Sequence, residues 1–509
     1  MTDIFSKLRP LGEVAGVVRQ LKSEGKKVVL CHGVFDLLHI GHIRHFRQAR
    51  QMGDILFVTV TPDRFADKGP QHPAFNELLR AEAIASLDTV DLVAINESET
   101  AEETLRMVRP DVFVKGSEFR KPADDPTGKM LKEARVVEEI GSELAFTEDI
   151  VFSSSNLLNT HFQRLPDEMS RFLGRFAQYH DLEEFLGVLD SIRDLRVLVV
   201  GDTILDEYQF TEVLGRSSKD PILATRVVSK QVHGGGALAI AGHLAGFVED
   251  VHLLTVIGEA DNEEGSSRAL LQPRVTPHFI VSPGACTTIK TRFLDQYSLN
   301  KLFELYIMDN EEPTFEQDNQ MKEWLHRSIT DFDLVIAADF GHGAISIGTA
   351  EFMAHNAPFL CAMTQFNAGN KGQCTIKRYP RADFACIADR EVRLASRNRH
   401  CDLEQSVQEI ARSLGCSKFV MTRGNRGCVT WSKDEGFGEV PAFANKVVDR
   451  VGAGDAFLSV AAPAAYLGKD DLMIGFLGNI AGALAVSTLG NSTSIDAMAL
   501  RKWVTALLK

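Results

Sequence analysis

The chain has 509 residues, of which 44% are hydrophobic and 24% charged, so it has the composition of a globular protein with large cores. Its formal net charge of −14 argues against non-specific binding to nucleic acid or to anionic membranes, so we expect neither as a partner. No run of about 18 apolar residues occurs, which predicts no membrane span. The eight cysteines form no C-x-x-C pair, which predicts reduced thiols in a cytoplasmic protein rather than disulfides or a zinc site.

The first 160 residues alternate between strand-like and helix-like segments. Apolar runs at 28–31, 55–60, 92–95 and 112–114 predict strands, and segments such as 40–50 and 77–87 predict the helices between them. This alternation is typical of βαβ units around a parallel sheet. A nucleotide would bind at the carboxyl ends of the strands.

A His-x-Gly-His string follows the first strand and opens the first of these helices. His39 and His42 are three residues apart and share one helix face, and Gly41 between them lets a ligand approach closely. The free N–H groups and the positive dipole end of a first helical turn attract anions. We therefore predict that the two imidazoles donate hydrogen bonds to an α-phosphate while a substrate phosphate attacks it.

Residues 161–194 differ in character from the first 160. Apolar residues recur at helical spacing, Pro166 lies near the start, and Asp167 is a candidate N-cap, so we predict a helical connector packed on a domain. A second α/β series runs from 195 to 509, with strands expected near 196–202, 251–256, 334–337 and 418–422. The predicted domains are therefore 1–160, 161–194 and 195–509.

The string Gly452-Ala453-Gly454-Asp455 is the strongest signal in the second series. Backbone N–H groups of a Gly-Ala-Gly turn at a helix start can converge on an oxyanion. Asp455 stands beside this turn and is predicted to accept a proton from an attacking hydroxyl. A plain helix-capping role for Asp455 is the alternative.

The first domain resembles the nucleotidyltransferases that include glycerol-phosphate cytidylyltransferases and the adenylyltransferase domain of heptose-phosphate enzymes. The resemblance implies that nucleotide is bound by Gly33, Phe35, Gly41, Lys68, Arg80, Lys115, Ser153, Ser154 and Ser155. Arg80 could instead form a structural salt bridge, and the serines could simply cap a helix. His72 departs from the family, which usually has an arginine there. Class I aminoacyl-tRNA synthetases share the His-x-Gly-His signature, but this chain lacks their second, lysine-rich signature.

The second domain resembles the sugar kinases of the ribokinase family. The resemblance implies a sugar site formed by Asp202, Asp206, Gly234, Gly235, Lys290 and Arg292. It implies an ATP site formed by Thr422, Gly424, Gly427, Gly452, Ala453, Gly454 and Asn479, with Glu391 as a weak candidate near the metal. Four residues depart from the family pattern: Ala239 and Ala388 stand where the family usually has asparagine, His342 where a lysine is expected, and Val451 where threonine is common. Asp389 could substitute for the asparagine missing at 388.

Both halves together resemble the bifunctional heptose-phosphate kinase/adenylyltransferase family, with the domain order reversed. The expected fold class is α/β, with two Rossmann-like parallel-sheet domains, first the HIGH type and then the ribokinase-like fold. The expected function is nucleotidyl transfer from ATP or CTP to a heptose-like sugar phosphate, with release of pyrophosphate. ATP-dependent phosphorylation of a sugar phosphate or related polyol accompanies it, with Mg²⁺ as cofactor. The alternative is a nucleotidyltransferase whose kinase-like domain is degenerate and serves in sensing or dimerisation. A homodimer is expected from the relatives only.

Overall fold

The computed structural model describes residues 7–66, 73–116, 129–147, 166–309, 312–444 and 447–508, with the side chains of 263–264 excepted. Lys68, His72 and the three serines 153–155 lie outside the described residues. The chain divides into two compact units, one formed by 1–170 with 501–509 and the other by 171–500. Among the described residues, no helix has both the length and the apolar character that a membrane span needs.

The described part of the first unit contains a five-stranded parallel sheet with the order β3-β2-β1-β4-β5. Its strands are β1 (Val28–Gly33), β2 (Ile55–Val60), β3 (Leu92–Ile95), β4 (Val112–Gly116) and β5 (Glu143–Thr147). Its helices are α1 (Leu11–Ser23), α2 (Ile40–Arg50), α3 (Glu77–Ala85), α4 (Glu102–Val108) and α5 (Lys129–Glu139). The four strands predicted from apolar runs and both named helices are confirmed.

Apolar side chains cover both faces of this sheet. One face packs Leu30 and Phe57 against helix α1, and the other packs Val29 and Val58 against Phe46 of α2. Burial on both faces explains why the strands read as continuous apolar runs rather than alternating ones. The carboxyl ends of β1, β2 and β4 meet at one edge, directly before the start of α2.

The predicted connector consists of two helices, α6 (Asp167–Phe176) and α7 (Leu182–Arg193). Asp167 is the first helical residue of α6 rather than its N-cap, whereas Asp181 caps α7 by accepting a hydrogen bond from the Glu184 N–H. Phe176 and Phe185 lie against Phe476, with ring centroids 4.6 Å and 5.1 Å away. Residues 171–193 therefore pack as part of the second unit, in line with the amphipathic spacing of their apolar residues.

The second unit is built on a larger sheet whose described strands number twelve. They are β6 (Arg196–Arg216), β7 (Leu223–Gly236), β8 (Asp250–Gly258), β9 (Val275–Ser282), β10 (Thr288–Asp295), β11 (Lys301–Ile307), β12 (Leu334–Asp339), β13 (Leu360–Thr364), β14 (Phe384–Ala388), β15 (Lys418–Thr422), β16 (Cys428–Ser432) and β17 (Gly436–Val440). The helices are α8 (Ala237–Leu244), α9 (Glu259–Glu264), α10 (Ser266–Ala269), α11 (Phe315–Ser328), α12 (Ile347–Asn356), α13 (Asp389–Ala395), α14 (Leu403–Ser413), α15 (Ala453–Tyr466) and α16 (Asp471–Ala485). The last helix, α17 (Ala497–Leu508), begins in the second unit, and its residues from 501 onward are assigned to the first.

Strand β6 belongs to two parts of this sheet. Its first half pairs in parallel with β8 and β12 in the main sheet, which continues through β13, β14 and β15 and ends in the antiparallel strands β16 and β17. Its second half pairs with β7 and β10, and β10 pairs with β11, forming a four-stranded extension that we call the lid sheet. The sheet is therefore mixed, where the sequence pattern indicated only its parallel core.

Candidate active sites

The first candidate site lies where β1 ends and α2 begins. His39 is the N-cap of α2, and its Nδ1 accepts a hydrogen bond from the Gly41 N–H at 3.1 Å. A neutral imidazole that accepts at Nδ1 carries its proton on Nε2, so His39 has a donor at that atom. The His39 and His42 rings stack with centroids 3.9 Å apart and an angle of 26° between their planes. The structure thus brings the two predicted histidines together on one helix face.

The loop before α2 has a strained backbone. Phe35 and Leu37 adopt positive φ angles of 47° and 50°, a region that non-glycine residues rarely occupy. The Phe35 ring meets His42 edge-on at 5.5 Å, and Asp36 accepts hydrogen bonds from the Ala74 and Phe75 N–H groups. Strain of this kind persists only where the surroundings enforce it, and it concentrates at functional sites.

Arg80 forms most of its hydrogen bonds within the protein. Four of its five N–H groups donate within the protein, to the carbonyls of Val34, Thr61 and Phe75 and to Asp63. Its side chain is 1% exposed. These contacts correspond to the structural alternative, because the guanidinium ties together the loops that follow β1 and β2.

Lys115 is also engaged by the protein. Its Nζ lies 2.6 Å from Oε2 of Glu133, whose Oε1 accepts a hydrogen bond from the Ala101 N–H. Burial works to raise the pKa of Glu133, but the charges of Lys115 and His32 and the hydrogen bonds from Lys115 and the Ala101 N–H together outweigh it, and the net shift is downward. The predicted nucleotide contact would have to share Lys115 with this carboxylate.

Two further histidines at this edge were not predicted. His32 ends β1 and contacts the hydroxyls of Thr59 and Thr61, and His45 of α2 contacts the hydroxyl of Thr147 at 2.8 Å. Burial lowers the pKa of both imidazoles to about 4, so both are neutral at pH 7. The order of the strands in the sheet brings these two histidines beside Lys115. A local sequence motif cannot predict this proximity, because the residues belong to different elements.

The second candidate site lies at the start of α15. Gly452 caps the helix with φ of 83°, and a side chain there would collide with Oδ1 of Asn491. Ala453 and Gly454 form the first turn, and Asp455 follows as a side chain that is 7% exposed. Burial raises the pKa of the Asp455 carboxyl to about 7, with the charge of Asp206 adding to the rise and Lys290 opposing it.

The residues predicted to bind sugar divide into two groups. Asp206, Gly235 and Lys290 are close to Asp455: a side chain on Gly235 would collide with the Asp206 carboxylate, and Lys290 influences the pKa of Asp455. Gly234 lies one residue before Gly235, and its carbonyl accepts from Nδ2 of Asn491.

Asp202 and Arg292 have other partners. Asp202 accepts hydrogen bonds from the N–H groups of Phe340, His342 and Ala344, so its carboxylate orders the loop after β12, and the predicted sugar contact would have to share it with these donors. Arg292 pairs with Asp206 at 2.5 Å and with Glu304 at 2.9 Å, which makes it a positioning residue for Asp206.

The residues predicted to bind ATP also have distinct placements. Thr422 ends β15, Gly424 begins the next turn, and Gly427 approaches the Val440 carbonyl so closely that a side chain would collide with it. Asn479 instead donates to the Val440 carbonyl and to Sγ of Cys428, so its amide packs α16 against β16 and β17. This arrangement differs from a direct nucleotide contact.

Glu391 keeps one oxygen available. Its Oε1 accepts a hydrogen bond from the Phe366 N–H, whereas its Oε2 is buried without a hydrogen-bond partner among the described residues. Burial raises the pKa of this carboxyl. Asp389, the suggested substitute for the missing asparagine at 388, pairs with Arg426 at 3.0 Å.

The sequence also did not predict a set of contacts around Asp449. Its carboxylate accepts hydrogen bonds from Nζ of Lys301 at 2.5 Å, from Tyr208 Oη at 2.9 Å and from backbone N–H groups, including that of Gly490. The three side chains come from β6, β11 and the turn before α15. They link the lid sheet to the Gly452 turn, and their sequence separation hides this link from pattern reading.

Comparisons with known proteins find a matching family for each of the two regions. Residues 194–498 match the family model of pfkB family carbohydrate kinases, and residues 30–160 match the cytidylyltransferase-like family. Over 62% of this chain and 100% of the other, the structure resembles Escherichia coli phosphofructokinase-2 with a TM-score of 0.51 and 14% identity, which shows a shared fold.

Curated relatives match the N-terminal part. The bifunctional protein HldE of Desulfatibacillum aliphaticivorans is 36% identical over 146 residues, which are 28% of this chain and 28% of that protein. HldE of Sulfurimonas denitrificans is 38% identical over 109 residues, 21% of this chain and 23% of that protein. The matches therefore span about a quarter of the length of these relatives. From the extent of the kinase match, the chain belongs to the pfkB family of carbohydrate kinases, and it carries a cytidylyltransferase-like domain ahead of the kinase domain.

Proposed function

We propose that this chain is a bifunctional enzyme of nucleotide-sugar biosynthesis. Its kinase domain phosphorylates a sugar-type acceptor with ATP, and its cytidylyltransferase-like domain joins a nucleotidyl group from ATP or CTP to a sugar phosphate. The pairing of the two family matches supports this proposal, as does the similarity to proteins named HldE. The kinase precedes the transfer in the reaction sequence, because transfer requires a phosphorylated sugar.

The observation that carries the kinase activity is the environment of Asp455. A carboxyl with a pKa of about 7 is matched to general-base catalysis near neutral pH. In the proposed step, Asp455 takes the proton of an acceptor hydroxyl while the hydroxyl oxygen attacks the γ-phosphorus and ADP leaves. The N–H groups of the Gly452–Gly454 turn and the α15 dipole stabilise the charge on the transferred phosphoryl group.

Glu391 is the residue that fits a magnesium ion. A buried carboxylate oxygen without a hydrogen-bond partner suits a water molecule of the Mg²⁺ shell, since Mg²⁺ keeps several waters and binds through one or two carboxylates plus phosphates. The described residues contain no cluster of three or more ligating side chains, as expected for an ion held mainly by the triphosphate. Bound Mg²⁺ would neutralise charge on the phosphates.

The nucleotidyl transfer is proposed to take place at His39 and His42. A phosphate oxygen of the sugar phosphate attacks the α-phosphorus of the nucleotide, and pyrophosphate leaves. Nε2–H of His39 and the His42 imidazole donate to the charge that develops on the α-phosphate, together with the start of α2. Neither histidine forms a bond to phosphorus in this step.

A second candidate is a nucleotidyltransferase with a degenerate kinase domain. It is favoured by Ala239 and Ala388, which replace the two asparagines of the family pattern. ADP release from ATP in the presence of sugars and sugar phosphates distinguishes the two candidates. Turnover that is lost in Asp455→Asn supports the bifunctional enzyme, whereas no turnover by either protein supports the degenerate domain.

A direct screen can identify the acceptor and the nucleobase of the transfer reaction. ATP and CTP are each paired with candidate sugar 1-phosphates, and pyrophosphate release is measured. Release with one nucleotide only, lost in His42→Ala, supports the proposed transfer. Equal release by His42→Ala contradicts it.

We also propose a cytosolic homodimer. All eight cysteines are free thiols, which suits a reducing compartment. The lid sheet exposes large apolar side chains that a second copy could cover, among them Val213, Val227, Phe303, Leu305 and Ile307. Light scattering after size exclusion tests this proposal: Val227→Lys with Phe303→Lys is expected to yield monomers, and a monomeric wild type would contradict it.

A further inference from the structure

A cavity of about 370 Å³ opens at the carboxyl edge of the main sheet in the second unit. Its walls come from the ends of β8 and β9, the loop 282–288, the loop after β12 and the start of α11. This volume lies at the lower end of the range for small-molecule cavities and suits a group of monosaccharide size.

The cavity adjoins the proposed reaction centre. Thr288 lines it, and Lys290 is two residues further on the same strand, so the two side chains share one face. The charge of Lys290 acts both on Asp455 and on His342, which also lines the cavity. An acceptor whose hydroxyl reaches Asp455 can therefore extend into this space.

The lining carries negative charge. Its described residues include the buried Asp202 and the solvent-exposed Asp309 and Glu312, but neither lysine nor arginine. Burial, together with the charge of Lys290, lowers the pKa of His342 to about 4, so this imidazole is neutral at pH 7.

The start of α11 does not offset this charge. A helix N-terminus can hold an anion, but here Thr314 and Gln317 form a reciprocal capping box that satisfies two of the N–H groups at this end, those of Thr314 and Gln317. The amide of Gln317 also donates to Oγ of Ser282 at 2.6 Å. Of the two cations that follow Thr288 on β10, Arg292 is bound to Asp206 and Glu304, and Lys290 interacts electrostatically with the carboxylates of Asp206, Asp202 and Asp455.

We infer that this cavity holds the end of the acceptor remote from the reacting hydroxyl, and that this end is rich in hydroxyls and carries no phosphate or carboxylate. The sequence predicted either a sugar phosphate or a polyol as the acceptor, and the charge of the cavity lining favours the polyol. This inference rests on the proposed kinase function. Carboxylates several ångströms from an added phosphate should weaken its binding by about tenfold or more.

Binding to the full-length protein tests the inference separately from turnover. Calorimetric titrations compare D-mannose with D-mannose 6-phosphate, D-fructose with D-fructose 6-phosphate, and sedoheptulose with its 7-phosphate, each with a non-hydrolysable ATP analogue present. Tighter binding of at least one free sugar than of its ester, by about tenfold, is expected. Equal or tighter binding of the esters, or no binding of any of the six, would overturn the inference. A free sugar that binds but is never phosphorylated would instead refute the kinase proposal alone.

A charge reversal at the cavity mouth sharpens the test. Glu312→Lys is expected to raise the affinity for the ester relative to its free sugar by about tenfold, because an attractive charge replaces a repulsive one. Glu316→Lys, an exposed residue of the first turn of α11 that does not line the cavity, is the matched control and should leave the ratio unchanged. An unchanged ratio in Glu312→Lys, or equal changes in both variants, would overturn the inference.

Discussion

Both candidate sites place a functional side chain in the first turn of a helix, but the first site uses it as a hydrogen-bond donor and the second as a base. His42 and Asp455 each occupy the third position of a helix whose start faces the carboxyl edge of a sheet. In the first unit, the imidazoles of His39 and His42 are proposed to add donors to the positive end of the helix dipole. In the second unit, the dipole should lower the pKa of Asp455, an effect of about 0.3–2 kcal/mol. The pKa of about 7 lies about three units above the usual value, at about 1.4 kcal/mol per unit. Burial therefore outweighs the dipole, and it converts a helix-start carboxylate into a base suited to neutral pH.

The basic residues of the two sites have similar surroundings, although the sequence motifs around them differ. Arg80 and Lys115 in the first unit and Arg292 in the second are all paired with carboxylates. Each was predicted to bind a ligand, and each would have to share its charge with a protein carboxylate to do so. The lesson is that a basic residue near a phosphate motif must be judged against the acids that the fold brings beside it.

The largest expected effect separates the two sites. Asp455→Asn removes the base and should lower the kinase kcat by about 10²–10⁴-fold while leaving pyrophosphate release unchanged. ADP and pyrophosphate are measured on the same preparation. Asp434→Asn, an exposed surface change, is the control and should retain both activities. Kinase activity within threefold of wild type in Asp455→Asn would exclude Asp455 as the base.

The reciprocal change addresses the first site. His42→Ala should lower nucleotidyl transfer by about 10²–10³-fold, because one donor to the developing phosphate charge is lost. ADP release should stay at the wild-type level. Arg47→Ala, on an exposed face of the same helix, should be silent in both assays. If Arg47→Ala loses as much transfer activity as His42→Ala, the effect belongs to the helix and not to the imidazole.

Arg80 offers a stability test of the comparison between cations. Arg80→Met should lower the free energy of unfolding of the first unit by about 3–5 kcal/mol, because it breaks a buried ion pair and leaves several carbonyls without donors. Urea unfolding followed by circular dichroism measures the loss, with the exposed Arg64→Met as control. Unchanged stability with a raised KM for nucleotide would restore the ligand-binding role.

The pH dependence of the kinase tests the pKa of Asp455. The base acts only when deprotonated, so kcat should rise about tenfold per pH unit below pH 7 and level off above it. Rates from pH 5 to pH 9 at saturating ATP give the profile. A rise centred near pH 4 would mean that burial does not control this carboxyl.

The smallest expected effect is a gain in stability. In the unfolded chain Asp455 ionises near its usual pKa of 3.8, whereas in the folded protein it keeps its proton until about pH 7. Stability is therefore lost between these two values as the pH rises, and the loss is complete above pH 7. Asp455→Asn should be more stable than wild type by about 1–3 kcal/mol at pH 8, and the difference should vanish near pH 4. Equal stability of the two proteins at pH 8 would contradict this.

Local patterns were sufficient for the elements and motifs that the sequence revealed. Continuous apolar runs predicted β1 to β4, because strands buried on both faces need apolar side chains at every position. Histidine and glycine spacing predicted the start of α2, and the Gly-Ala-Gly-Asp string predicted the start of α15, because a first helical turn depends on only a few adjacent residues. The lid sheet was missed because β6 continues through both parts of the sheet without a local signal for the change of partners.

By itself, the amino-acid sequence determined the order of the two domains, the parallel core of each sheet and the two helix starts that carry His39, His42 and Asp455. Only the tertiary structure decided which charged groups are available to a ligand. Residues distant in the chain set that outcome: Asp63 beside Arg80, Glu133 beside Lys115, and Asp206 beside both Arg292 and Asp455. The physical reason is that spacing along a chain determines local geometry, whereas burial and the charges of neighbouring elements determine protonation and pairing.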